Sequence, residues 1–143
     1  MPPGVVPVLL RVPPPFGRRD RLQAENVNRR EFSRVVDAVL AELPEWVTER
    51  IDNLVVVVED RPTHDQDPEG QGLLGLYDGV SLADRGVDYF GYAPDQISIF
   101  YEPHIELGLS DEELNDEIRV TVLHEVAHHL GIDDQRLHEL GWD

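Results

Sequence analysis

The sequence predicts an α+β domain, a small mixed β-sheet with a backing helix and a second, longer helix. Three observations carry this. Phe32, Val35, Val36, Val39, Leu40 and Leu43 recur at helical spacing. Three short β-branched or alternating runs follow at 54–60, 73–82 and 97–102. A long amphipathic segment, "LSDEELNDEIRVTVLHEVAHHLG", then fills 109–131. The order helix, strand, strand, strand, long helix fits two helices packed on one face of a small sheet.

Each element has its own signals. Asn28 followed by Glu31 has the spacing of a helix start. Pro44 interrupts that helix, and Trp46, Val47 and Ile51 suggest a further turn or two. "LVVVVED" is long enough for one buried strand, closed by Pro62. The polar stretch 60–72 predicts a loop, "LLGLYDGVSL" a second strand ending in a turn, and "ADRGVDYFGYAPDQ" another loop. "ISIFYE", 97–102, alternates as a third strand. Ser110 and Glu113 form a capping box, with Asp111 and Glu112 in the first turn, where the helix dipole favours acids. Leu114, Ile118, Val122, Val126 and Leu130 make one apolar stripe, Gly131 stops the helix, and a short helix from about Asp134 to Leu140 closes the chain. Trp142 is expected to anchor this last turn by packing.

The chain of 143 residues fits one domain, and its 41% hydrophobic content is enough for a single core. Residues 1–25, with "PPP" at 13–15 and the basic "GRRDR" at 17–21, read as a proline-rich tail, leaving 26–143 as the domain. There is no cysteine, so any metal is held by His, Asp or Glu. The formal charge of −17 repels phosphates, which argues against nucleic acid as a partner. No run of about 18 apolar residues offers a membrane span, and the start lacks a positive n-region. The expectation is a cytoplasmic protein.

The chemistry concentrates in "HEVAHHLGIDD", 124–134. Residues four apart on a helix lie one above the other, so His124 and His128 can offer two imidazoles to one ion. Glu125 sits about a third of a turn away, positioned to act as general base on a metal-bound water. A catalytic zinc site has three protein ligands and an open position. Gly131 can turn the chain sharply, which lets Asp134 swing back as the third ligand. His138, four residues after Asp134, is the alternative third ligand or a partner that orients one. Asp134 is preferred, and Glu139 is a remote third choice. His129 is expected to bond Glu125 locally, and His64 and His104 to be surface histidines. Tyr77 and Tyr101 are candidate oxyanion donors.

The stretch "HEVAHHLGIDDQRLHELGW", with "GLYDGV" and "PDQISIFYEP", resembles the small bacterial proteins of the minimal zincin-like metallopeptidase family over about 30–143. The resemblance implies a minimal zincin-like fold and one zinc ion held by His124, His128 and Asp134. It implies a hydrolase in which Glu125 is the base, and a peptide or unfolded protein substrate paired on an exposed edge strand near Gly72–Tyr77. The chain departs from metzincins, which place His where Asp134 stands and carry a methionine turn; the only methionine here is Met1. Longer zincins have a C-terminal subdomain that walls the cleft, and nine residues after Asp134 do not supply one. Two alternatives follow. One is a catalytically weak or inactive peptide-binding module. The other is a peptidase whose cleft a protein partner completes.

Overall fold

The computed structural model describes residues 27–86 and 93–142. The expected tail, 1–25, lies outside the described residues, as does the middle of the loop before the third strand.

The chain opens with α1 (Arg29–Ala41), where the Asn28 side chain accepts from the Glu31 N–H at 2.8 Å and Glu31 reaches back to the Asn28 N–H. Phe32, Val36 and Val39 lie on its buried face. Pro44, which cannot continue a helix, caps the start of α2 (Glu45–Arg50). Strand β1 (Leu54–Glu59) follows, then β2 (Gly75–Asp78), a short 3-10 turn at Leu82–Asp84, and β3 (Asp95–Phe100). The short helix α3 (Tyr101–Ile105) leads to α4 (Asp111–Leu130) and α5 (Asp134–Leu140).

The sheet runs β1-β3-β2, with β1 parallel and β2 antiparallel to β3, so it is mixed, as predicted. Among the described residues β2 has β3 as its strand partner and forms one edge of the sheet. Helix α4 packs against α1, β2 and β3, and its stripe of Leu114, Ile118, Val122 and Val126 is buried in the core. Trp142 is buried and stacks on Trp46 at 6.0 Å, which ties the last turn to α2.

The third strand differs from its predicted limits. It starts at Asp95, and Tyr101 and Glu102 belong to α3. Glu59 pairs with Phe100, the last rung of β1, so residues 101 and 102 have no strand to continue beside. Pro103 falls in the first turn of α3, where its missing N–H costs nothing.

Candidate metal centre

The Ser110–Glu113 capping box starts α4, and Gly131 ends it in the left-handed region at φ 79°. His124, Glu125 and His128 therefore share the last two turns of a well-defined helix. One donor atom from each lies within 4.8 Å of the others, and the two imidazole rings are 4.6 Å apart. The histidines are half-buried, whereas Glu125 is 8% exposed. Burial pushes the Glu125 carboxyl above its ordinary value, against the opposing pull of His128 and His124. His128 Nδ1 lies 3.1 Å from Glu125 Oε1. With Glu125 ionised the carboxylate can only accept, so Nδ1 is the donor of this pair.

Beside this cluster lies a buried polar network absent from the sequence reading. Asp95, 2% exposed, accepts from the Tyr77 hydroxyl at 2.5 Å, His129 Nδ1 at 2.9 Å, the Val80 N–H at 3.2 Å and the Arg85 guanidinium at 2.9 Å. Burial alone would raise the Asp95 carboxyl. The hydrogen bonds from Tyr77, His129 and Val80, with the Arg85 charge, outweigh it and hold the carboxyl below its ordinary value. Arg85 also reaches Asp52 at 3.0 Å and the Val80 carbonyl at 2.9 Å. No local motif marks Asp95, whose partners lie 10 to 34 residues away in sequence.

Two histidines depart from expectation. His129 does not bond Glu125. It is fully buried; its Nε2 accepts from the Asp52 N–H at 3.2 Å, which places the proton on Nδ1 toward Asp95. Burial pushes it below the ordinary histidine value. His104 is also fully buried, between the Phe100 carbonyl at 2.7 Å and Thr121 Oγ1 at 3.0 Å. The helix begun at Tyr101 carries this ring inward, where Phe32 meets it edge-on. Both tyrosine hydroxyls are engaged, Tyr77 to Asp95 and Tyr101 to the Val27 carbonyl, so neither phenol proton is directed at a substrate oxygen. His64 lies exposed in its loop.

Asp134 and His138 are exposed on the first and last turns of α5, and neither joins the converging donors among the described residues. Asp133 is the N-cap of α5 and accepts from the Arg136 N–H at 2.9 Å, while Glu139 pairs with Arg136. A concavity in the β1–β2 loop is lined by Gln66, Asp67 and Leu73 among others and includes none of the converging donors, so it is separate from this chemistry.

Fold and site together define an α+β domain with a metal-site motif on a central helix beside a sheet edge. The sequence model of the zincin-like metallopeptidase family matches residues 51–142, and the chain belongs to that family. No curated protein matches. Among solved structures, a conserved hypothetical protein from Thermo thermophilus is 23% identical. The match covers 81% of this chain and all of that one, with a TM-score of 0.49. The family implies zinc, and the donor chemistry fits it: two imidazoles with a carboxylate beside them and no thiolate.

Proposed function

We propose that this chain is a zinc-dependent metallopeptidase that hydrolyses peptide bonds, with Glu125 as general base. The observation that carries it is the convergence of His124, Glu125 and His128 on α4, packed against the edge strand β2. His124 and His128 would hold one zinc ion, with Asp134 as third ligand and His138 as its alternative. Bound there, zinc would supply an acidified water and Lewis-acid polarisation of the scissile carbonyl. Glu125 takes the water proton on its carboxylate and passes it to the leaving nitrogen. The hydrogen bond from His128 Nδ1 orients that carboxylate.

The substrate is an extended peptide or unfolded protein. Among the described residues β2 is an edge strand of the sheet, and such a chain would pair along it as a β-augmenting peptide does.

The test is hydrolysis of a denatured protein by the purified full chain, with and without added zinc, for wild type and Glu125→Gln. The variant keeps the shape and removes the base, so it should bind zinc nearly as well and cleave at least about a hundredfold more slowly. Equal rates for the two proteins would overturn the mechanism. A wild type that binds zinc and an extended peptide without cleaving it would instead be a peptide-binding module.

A further inference from the structure

Gly75 opens β2, pairs with Ile99 and is buried. Glycine weakens a strand, because it has the most backbone freedom to lose and packs no side chain. Its φ is not positive, so backbone conformation does not call for glycine here. Space does. A Cβ at this position would stand 2.7 Å from Thr121 Cγ2, 3.3 Å from Glu125 Cγ and 3.4 Å from the Ser98 carbonyl oxygen. Thr121 and Glu125 are four apart on α4 and lie on one face. Together they fill the space a side chain on β2 would take.

Thr121 has little room to yield. Its hydroxyl lies 2.9 Å from the Glu117 carbonyl and 3.0 Å from His104 Nε2, and a β-branched side chain has few rotamers to spare. A methyl group at position 75 therefore displaces the edge strand from α4, and with it the spacing between that strand and Glu125, whose Cγ is itself 3.3 Å away.

We propose that Gly75 is a positioning residue: its missing side chain lets the edge strand lie flush against α4, and this sets Glu125 beside the strand on which a peptide pairs. The inference rests on the reading of Glu125 as general base. It adds that the distance between base and substrate backbone is set by contact between β2 and α4. Asp78 at the other end of β2 plays no such part, being exposed.

The test combines Gly75→Ala with Thr121→Ser, which removes the Cγ2 methyl and keeps the hydroxyl. In metal-free protein, carbon-13 signals of the Glu125 carboxylate and the His128 ring should shift in Gly75→Ala and return toward wild type in the double variant. With zinc, kcat of Gly75→Ala should fall at least about tenfold, since small misplacements of reacting groups cost about that or more. KM should change less, and Thr121→Ser should restore most of the loss while staying near wild type alone. Unmoved Glu125 signals in Gly75→Ala overturn the proposal, as does a loss of rate that Thr121→Ser does not relieve. If Gly75→Ala does not fold, a folded double variant supports the proposal, and an unfolded one overturns it, because the obstruction is then not the Thr121 methyl group. Shifted and rescued signals combined with equal cleavage by wild type and Glu125→Gln would leave the positioning contact standing and remove the base assignment alone.

Discussion

Asp95 is acidic, buried and four times hydrogen-bonded, and it holds the Arg85 guanidinium, whose side chain is 8% exposed. Removing one partner from a buried ion pair leaves the other charge uncompensated, which typically costs about 3–5 kcal/mol. Asp95→Asn should cost roughly 3 kcal/mol by urea unfolding, the lower end because Asp52 still faces Arg85. The pH dependence has a definite sign. The folded carboxyl sits below the unfolded value of about 3.9, so its contribution is complete above that pH and is lost as pH falls through the folded value. Because Asp95 also raises the buried His129 ring, its loss lowers that ring further, so the gap between wild type and Asp95→Asn should hold or widen from pH 7 to 5 and narrow only in stronger acid; a gap that closes by pH 5 contradicts this account. The proposed metal ligands can be tested residue by residue. His128→Ala should abolish stoichiometric zinc in protein purified without chelator. Asp134→Ala should lower zinc affinity far more than His138→Ala, because loss of an orienting partner costs about 10–100-fold. The reverse order would transfer the third-ligand role to His138.

Helix α4 owes its length to signals at both ends. Its capping box satisfies N–H groups at the start, and Gly131 lets the chain leave in the left-handed region at its C-terminus. That glycine is needed twice over. Its φ of 79° disfavours any side chain, and a Cβ there would approach the Ala83 Cβ to 2.6 Å. Gly131→Ala should cost about 1–3 kcal/mol, the usual range for a side chain held in this region. Ala83→Gly, which removes the methyl but not the backbone strain, should return only part of the loss. Full recovery in the double variant would mean that the contact alone, and not φ, requires glycine. The ladder of β1 and β3 shows the other kind of ending: with Glu59 opposite Phe100, the strand stops where its partner stops, and the chain turns into α3.

For the molecule as a whole, the buried His104 sets an acid limit on stability. Burial pushes its ring below the ordinary histidine value, although the bond to the Phe100 carbonyl works the other way. The unfolded chain therefore takes up a proton first, near pH 6.5, and stability falls as pH drops from there toward the folded value. The slope from one such group is at most about 1.4 kcal/mol per pH unit. His104→Asn keeps a donor for the Phe100 carbonyl and removes the titration. In chelated protein, the stability advantage of wild type over this variant should shrink between pH 7 and 5; a constant advantage would show that the ring does not titrate on unfolding. No described helix is long and apolar enough to cross a membrane.

What was legible in the sequence is what neighbours along the chain decide. Both capping boxes, the turn at Gly131, the stripe on α4 and the i, i+4 spacing of His124 and His128 depend on residues three to seven apart, so they appear as patterns. The class of fold and the motif on its helix followed from these. The tertiary structure decided everything that depends on which distant groups meet. It buried His104 against Thr121, turned His129 away from Glu125 toward Asp95, occupied the hydroxyls of Tyr77 and Tyr101, and brought Thr121 and Glu125 into the space a side chain at position 75 would take. A buried polar group must find its partner wherever the fold brings one, and a side chain must be absent wherever another element already fills its space. Neither requirement leaves a local trace in the order of the residues.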